Sequence, residues 1–491
     1  MKNLLISAEK VEIAIESKAI LKNINLTVYP GQAWAIVGPS GSGKTTLAKV
    51  LARRLPVSSG RLIYAHPDAK VVLVEQQHRY QNRTDASATY YQARFDSLNA
   101  DEFPVVEEVL QEHCLAAGSE ADERVTEVLE TLRITYLRRT RLIQLSNGEN
   151  KRFQLAKALL QHPRILILDN PFVGLDQATR VILHGIINQL ISRGTLVFLI
   201  TSPTEIPEGI THVVELQDGS IIRQNSRSYL LKQQSERSQS LSTTVQLEPQ
   251  ALEMLEKPPD RSFSVAIRLQ DVTVRYDGKT ILDRVNWQVN RGEKWALTGP
   301  NGAGKSTLLS LINGDNPQAY ANEIYLFDRK KGSGESIWDI KQRIGYVSPE
   351  LHLYVNRYQT CFKTVASGLT DTMVYDKRLS EAQRATVDQW LSIFRLAHRR
   401  EEPLAVLPLS EQRLVLLARA MVKNPPVLIL DEPCQGLDAR QMDEFRATVD
   451  ALCRSLEKTL IYVSHHPEDI PACVNRKLML EEGKACEVPF R

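Results

Sequence analysis

No apolar run in the chain approaches the roughly 20 residues that a helix needs to cross a bilayer. The longer ones, such as TLVFLIT at 195–201, stop far short. A membrane role would therefore have to come through a partner. The first residues, MKNLLISAEKVEIAIESK, acquire acids within ten positions and lack the apolar core and cleavage site of a signal peptide. Cysteine is sparse: six residues, with no CxxC pair and no dense framework, which suits a reducing cytoplasm better than a secreted scaffold. The expected location is cytoplasmic, extending to a peripheral position at the inner face of the plasma membrane. Charge of one sign is lacking too. Lys and Arg number 61 against 58 Asp and Glu, a net of +3, which gives no strong nucleic-acid signal and no field for an anionic lipid surface.

What is present is ordinary globular composition, 43% hydrophobic and 24% charged. At 491 residues the chain exceeds what one core usually supports. A repeat explains the length. LILDNPFVGLD (166–176) and LILDEPCQGLD (428–438) agree at eight of eleven positions, and Asn170 stands where the second copy has Glu432. GPSGSGKTTL from Gly38 matches GPNGAGKSTL from Gly299 at an offset of 261, and AILKNINLTVYPGQAWAIVG (19–38) keeps that offset with TILDRVNWQVNRGEKWALTG (280–299). A shift held so constant indicates two copies of one domain rather than a solenoid. The boundaries read as a first domain over 1–224, a linker over 225–262 and a second domain over 263–491. The linker is rich in Ser and Gln, nearly charge-balanced, and includes a short helical stretch near 246–256.

Within each copy, continuous β-branched runs such as AWAIV, RILILD and LVFLIT read as parallel strands buried on both faces, separated by helical stretches such as KTTLAKVLARRL. The class is α/β, with a P-loop NTPase domain in each half. Both glycine segments fit GxxxxGK[ST] between a strand and a helix. The first comprises Gly38, Pro39, Ser40, Gly41, Ser42, Gly43, Lys44, Thr45 and Thr46. The second comprises Gly299, Pro300, Asn301, Gly302, Ala303, Gly304, Lys305, Ser306 and Thr307. Such loops wrap phosphates with backbone N–H groups and a helix N-terminus. Lys44 and Lys305 are expected at the β- and γ-phosphates of ATP, with Thr45 and Ser306 on Mg²⁺. Asp169 and Asp431 end apolar runs at a strand's carboxyl edge, where they are expected to hold the metal through water. Glu432 is placed to polarise the attacking water, and Asn170 cannot take that role.

The order of glycine loop, LSNGE, LILDxP, GLD and SH resembles an ATP-binding cassette (ABC) domain, present twice. The resemblance implies that two such domains pair head to tail, each ATP lying between the glycine loop of one and the signature segment of the other. Closure within one chain is the simpler expectation for tethered halves. It further implies that LSNGENKRFQLAKAL (145–159) supplies Ser146 and Gly148 to the opposite γ-phosphate. In the second half, LPLSEQRLVLLARAM (407–421) puts Pro408 in place of the signature serine and Ser410 in place of its second glycine, which reads as a damaged signature. By the same resemblance Tyr276 is the adenine-stacking aromatic, a contact worth on the order of 1–3 kcal/mol, and Ile15 is its counterpart. His465 matches the switch histidine, with Ser202 as counterpart, and Gln76 matches the glutamine that contacts Mg²⁺, with Pro349 as counterpart.

The losses cluster. One composite site keeps Lys305, Ser306, Asp431, Glu432, His465, Tyr276, Ser146 and Gly148, and lacks only the glutamine. The other has Lys44, Thr45 and Asp169 but also Ile15, Asn170, Ser202 and the damaged signature. The sequence is thus expected to carry one ATP-hydrolysing site and one that binds without efficient turnover.

The stretch 314–353, GDNPQAYANEIYLFDRKKGSGESIWDIKQRIGYVSPELHL, is similar to the ModF group of tandem ABC proteins, also called photorepair-protein-like and associated by name with molybdate import. That resemblance implies the ATPase subunit of a transport system working on separate membrane permease subunits. The alternatives are an ABC ATPase acting on ribosomes or nucleic acid, and an ATP-dependent regulatory binding module.

Overall fold

A computed structural model of the chain describes residues 5–15, 18–75, 104–114, 119–142, 145, 147–227, 262–276, 278–348, 351, 355–356, 358–372, 378–464 and 466–490. Gln76, Ser146, Pro349 and His465 lie outside the described residues, as does nearly all of the linker with its expected short helix. The chain divides into two compact units, Met1–Leu241 and Ser242–Arg491.

Unit 1 contains β1 (Ile6–Ile15), β2 (Lys18–Val28), β3 (Trp34–Val37), β4 (Ser59–Tyr64), β5 (Val71–Val74), β6 (Ile165–Asp169), β7 (Leu196–Ile200), β8 (His212–Gln217) and β9 (Ser220–Ser226). Its six-stranded sheet has the order β5-β6-β7-β3-β8-β9. The first five of these run parallel, and β9 returns antiparallel to β8. A separate antiparallel sheet has the order β2-β1-β4.

Unit 2 repeats the plan with β10 (Val265–Tyr276), β11 (Lys279–Asn290), β12 (Lys294–Thr298), β13 (Glu323–Leu326), β14 (Arg329–Lys330), β15 (Ile344–Val347), β16 (Val427–Asp431), β17 (Thr459–Val463), β18 (Arg476–Glu481) and β19 (Lys484–Val488). Its large sheet is β15-β16-β17-β12-β18-β19, and its antiparallel sheet is β11-β10-β13-β14.

The uninterrupted apolar runs follow from burial on both faces. Along β6, Leu166 and Leu168 join a core with the helices Val106–His113 and Asn147–Leu159, while Ile165 and Ile167 join a second core with β1, β2 and the helix Lys44–Leu51. In unit 2, Leu428 and Leu430 face the helical core, and Val427 and Ile429 face the core beneath β10 and β11. Successive side chains of one strand thus serve opposite layers.

Parallel pairing also decides where chemistry can sit. Asp169 closes β6 opposite Ile200, and Asp431 closes β16 opposite Val463, so each lies at the same sheet edge as the loop that leaves β3 or β12. Among the described residues, no helix is long and apolar enough to cross a membrane.

The helical layer of unit 2 centres on Trp390, fully buried and stacked on Phe394 with ring centroids 5.8 Å apart. Trp390→Ala should destabilise that unit by about 3–5 kcal/mol. Native-state hydrogen exchange checks this: amides of unit 2 lose protection, and those of unit 1 do not.

Candidate functional site

The two glycine loops have nearly the same backbone. Gly38, Gly41 and Gly43 have φ of 144°, 79° and 97°, and Gly299, Gly302 and Gly304 have 145°, 79° and 101°. The first glycine of each is obligatory for space: a Cβ on Gly38 would stand 2.1 Å from the Leu216 carbonyl oxygen, and on Gly299 2.0 Å from that of Leu480. The middle glycine has nothing within 4 Å of such a Cβ in either loop, so it lines the open side. Lys44 Nζ donates to the carbonyls of Gly38 and Pro39 at 2.8 and 2.7 Å. Lys305 Nζ does the same to Gly299 and Pro300 at 2.7 and 2.8 Å. Each ammonium is thereby held across the mouth of its own loop. Each lies at the start of a helix whose first N–H groups point the same way.

In unit 1 the strand-end aspartate meets its loop. Thr45 donates its hydroxyl to Asp169 Oδ2 at 2.8 Å, which joins residues 124 apart in sequence. A hydroxyl beside a carboxylate is the hard-oxygen donor set that Mg²⁺ accepts. Burial pushes the Asp169 carboxyl up, while the Thr45 hydrogen bond and the charges of Lys44 and Lys151 act to keep it ionised. Lys151 is itself drawn down to about 8 by burial, with the Asp169 charge opposing.

The residue after each aspartate is the sharpest difference between the units. Both occupy the left-handed region, Asn170 at φ 47° and Glu432 at 43°, and both donate their N–H to the neighbouring strand's end, Ile200 or Val463, at 3.0 Å. Asparagine adopts that conformation at less cost than glutamate, because its short polar side chain can bond locally; Glu457 and Glu482 occupy it as well. The Asn170 amide turns back to donate to Asp169 Oδ1 at 2.9 Å. Glu432 instead accepts from Gln435 Nε2 at 3.1 Å.

The signature segments also differ. In unit 1, Gly148 is buried in the first turn of the helix Asn147–Leu159, and a Cβ there would stand 3.1 Å from the Thr179 methyl group. In unit 2, Pro408 caps the helix Leu409–Met421 without a side-chain hydrogen bond. The Glu411 carboxylate in its first turn is taken by Arg399 at 3.0 Å. Tyr276 is half-buried against the core of its unit, and its hydroxyl accepts from Asn316 at 2.8 Å.

The residue pattern recurs in known proteins. A family model described as ABC transporter matches residues 21–173 and again 282–435. The chain belongs to the ATP-binding cassette family. It carries the ATP-binding domain twice and is an ATPase of the ABC type. The ABC transporter ATP-binding protein ModF of Escherichia coli K12 is 38% identical over 462 residues, covering 92% of each chain. An uncharacterized ABC transporter ATP-binding protein of Schizosaccharomyces pombe is 31% identical over 481 residues, 95% of each. In fold, the chain is similar to a structure described as a model of ribosome-bound archaeal Pelota and ABCE1. That match has a TM-score of 0.62 at 17% identity and covers 98% of this chain and 78% of that one. The RNase-L Inhibitor is similar at a TM-score of 0.56, with the same identity, over 99% and 90%.

Within each cassette, the glycine loop, its lysine and hydroxyl residue, and the strand-end aspartate all come to one sheet edge. Sequence reasoning did not single out Lys151 beside Asp169, or Gln435 on Glu432. The signal for Gln435 was present: it stands where the first copy has Val173, in the same eleven-residue comparison that exposed Asn170. If the left-handed turn strains a glutamate, then Glu432→Asn should raise stability by about 1 kcal/mol while removing hydrolysis. Thermal denaturation without nucleotide, paired with an ATPase assay, checks both halves; a less stable variant would contradict the strain argument.

Proposed function

We propose that this ABC ATPase has one hydrolytic site and one site that binds ATP without efficient turnover. The observation that carries the reading is the left-handed residue after each aspartate. In the second cassette it is a glutamate kept in a costly conformation. In the first it is an asparagine whose amide is engaged by Asp169.

In the hydrolytic site, Lys305 and the loop N–H groups from Gly299 to Gly304 bind the β- and γ-phosphates, and Ser306 and Asp431 serve the metal side. Bound Mg²⁺ would supply charge neutralisation on the phosphate oxygens. Glu432 accepts the proton of the attacking water, a contribution of roughly 10²–10⁴ in rate for a general base. His465 orients the γ-phosphate end, and Tyr276 offers a ring to adenine. By the family resemblance, Ser146 and Gly148 would be signature contacts to a γ-phosphate. In the other site Lys44, Thr45 and Asp169 hold ATP, with Gln76 toward the metal, and no carboxylate follows Asp169 to activate water.

The energy of closure is then available to a partner. We infer separate membrane subunits, since a full-length relative at 38% identity is described as an ABC transporter ATP-binding protein. The ModF name extends this to a molybdate-related system. The near-neutral charge and charge-balanced linker offer little to an RNA surface.

The test is steady-state ATP hydrolysis by the full chain beside Glu432→Gln and Asn170→Glu variants. The parent should turn over. Glu432→Gln should lose at least about 10²-fold and retain bound ATP. Asn170→Glu should add little, because the new carboxylate would face Asp169 and forfeit the amide bond to it. A parent-like Glu432→Gln would overturn the assignment. Co-purification with membrane proteins supports the transport reading; co-purification with ribosomal RNA or DNA replaces it.

A further inference from the structure

The helix Leu409–Met421 of the second cassette carries a buried guanidinium for which the phosphate chemistry has no use. Arg413 is 3% exposed and donates Nη2 to the Gln435 carbonyl oxygen at 3.1 Å. Its Nε and Nη1 are buried without a hydrogen-bond partner, an expense that native structures seldom carry without reason. Burial draws this guanidinium down to about 10, and the Glu432 carboxylate is among the charges that act to keep it protonated.

Gln435 is fixed at both ends. Arg413 holds its carbonyl, and its own N–H donates to the Glu432 carbonyl at 3.1 Å. Its side-chain amide then reaches the Glu432 carboxylate at 3.1 Å. The first cassette makes the same turn, Val173 N–H to the Asn170 carbonyl at 3.4 Å, but valine has no side-chain donor. In that cassette Lys151 stands in sequence where Arg413 stands in the second, and a lysine lacks the planar fork. The cassette with the acid therefore also has an amide to hold it and an arginine to hold the amide.

We propose that Gln435 and Arg413 are positioning residues for Glu432: Arg413 anchors the turn, and the Gln435 amide fixes the carboxylate's direction toward the attacking water. A glutamate side chain has three rotatable bonds, and a displacement of about 1 Å at a reacting group costs on the order of 10²-fold. Neither residue touches nucleotide in this account, so ATP affinity should not depend on them. The inference rests on Glu432 being the base.

The experiment measures kcat, KM for ATP and equilibrium ATP binding for the full chain with Gln435→Val, Gln435→Asn, Arg413→Lys and, as reference, Glu432→Gln. Valine already occupies this turn in the first cassette, so Gln435→Val should fold. It should lower kcat by about 10- to 100-fold, with KM and ATP binding unchanged. Gln435→Asn, which keeps a donor, should recover most of that loss, and Arg413→Lys should lower kcat with KM unchanged. If Glu432→Gln abolishes turnover while Gln435→Val turns over like the parent, the inference falls and the catalytic reading stands. A Gln435→Val effect confined to KM or ATP binding also overturns it. If Glu432→Gln itself turns over like the parent, the catalytic reading fails and takes the inference with it.

Discussion

In both units a ladder of parallel strands, buried on both faces, sets Asp169 opposite Ile200 and Asp431 opposite Val463. Each of those partner strands lies in turn beside the strand that feeds the glycine loop. Parallel pairing leaves every strand's carboxyl end on one edge, so a loop, an aspartate and the residue after it converge without needing contact in sequence. The burial that fixes the ladder comes from side chains alternating between two cores. A slip of one residue would exchange the layers and carry the aspartate away from the loop. The reactive edge is thus held by aliphatic packing several residues away from any phosphate.

On that common frame, the two cassettes divide at the first residue beyond the ladder. The backbone there is left-handed in both. Where the residue is Asn170, local preference and position agree. Where it is Glu432, they disagree, as they also do at Glu457 and Glu482; what sets Glu432 apart is its place directly after Asp431. The same division runs through the next turn, with Val173 in one copy and Gln435 bonded to Glu432 in the other. It also appears behind that turn, where Phe172 packs in the core of unit 1 and Cys434 beside the Tyr462 hydroxyl occupies the corresponding sequence position of unit 2.

Much of this was legible in the sequence because its signals are local. Loop spacing, the strand-end aspartates and the offset of 261 are properties of short windows, and the α/β class follows from uninterrupted β-branched runs. What stayed hidden depends on contacts between distant residues. Tyr276 reads as the adenine-stacking aromatic, and its hydroxyl also accepts from Asn316, 40 residues on. Glu411 lies in the first turn of the helix Leu409–Met421, and its partner Arg399 stands 12 residues earlier. Nothing local to Arg413 signals that folding buries it behind Gln435.

These distant contacts bear on how a helix start that departs from the signature pattern can persist. Pro408 and Ser410 alter the helix start, yet the same helix, three residues past Ser410, anchors the turn that carries Glu432. Its side chains from Val415 to Met421 are fully buried or nearly so. A changed helix start therefore does not release the rest of the helix from constraint. The helix is kept by packing and by what it holds in its own cassette. In the second cassette the helix start departs from the family pattern, while the helix interior keeps its packing and its hold on the turn that carries Glu432.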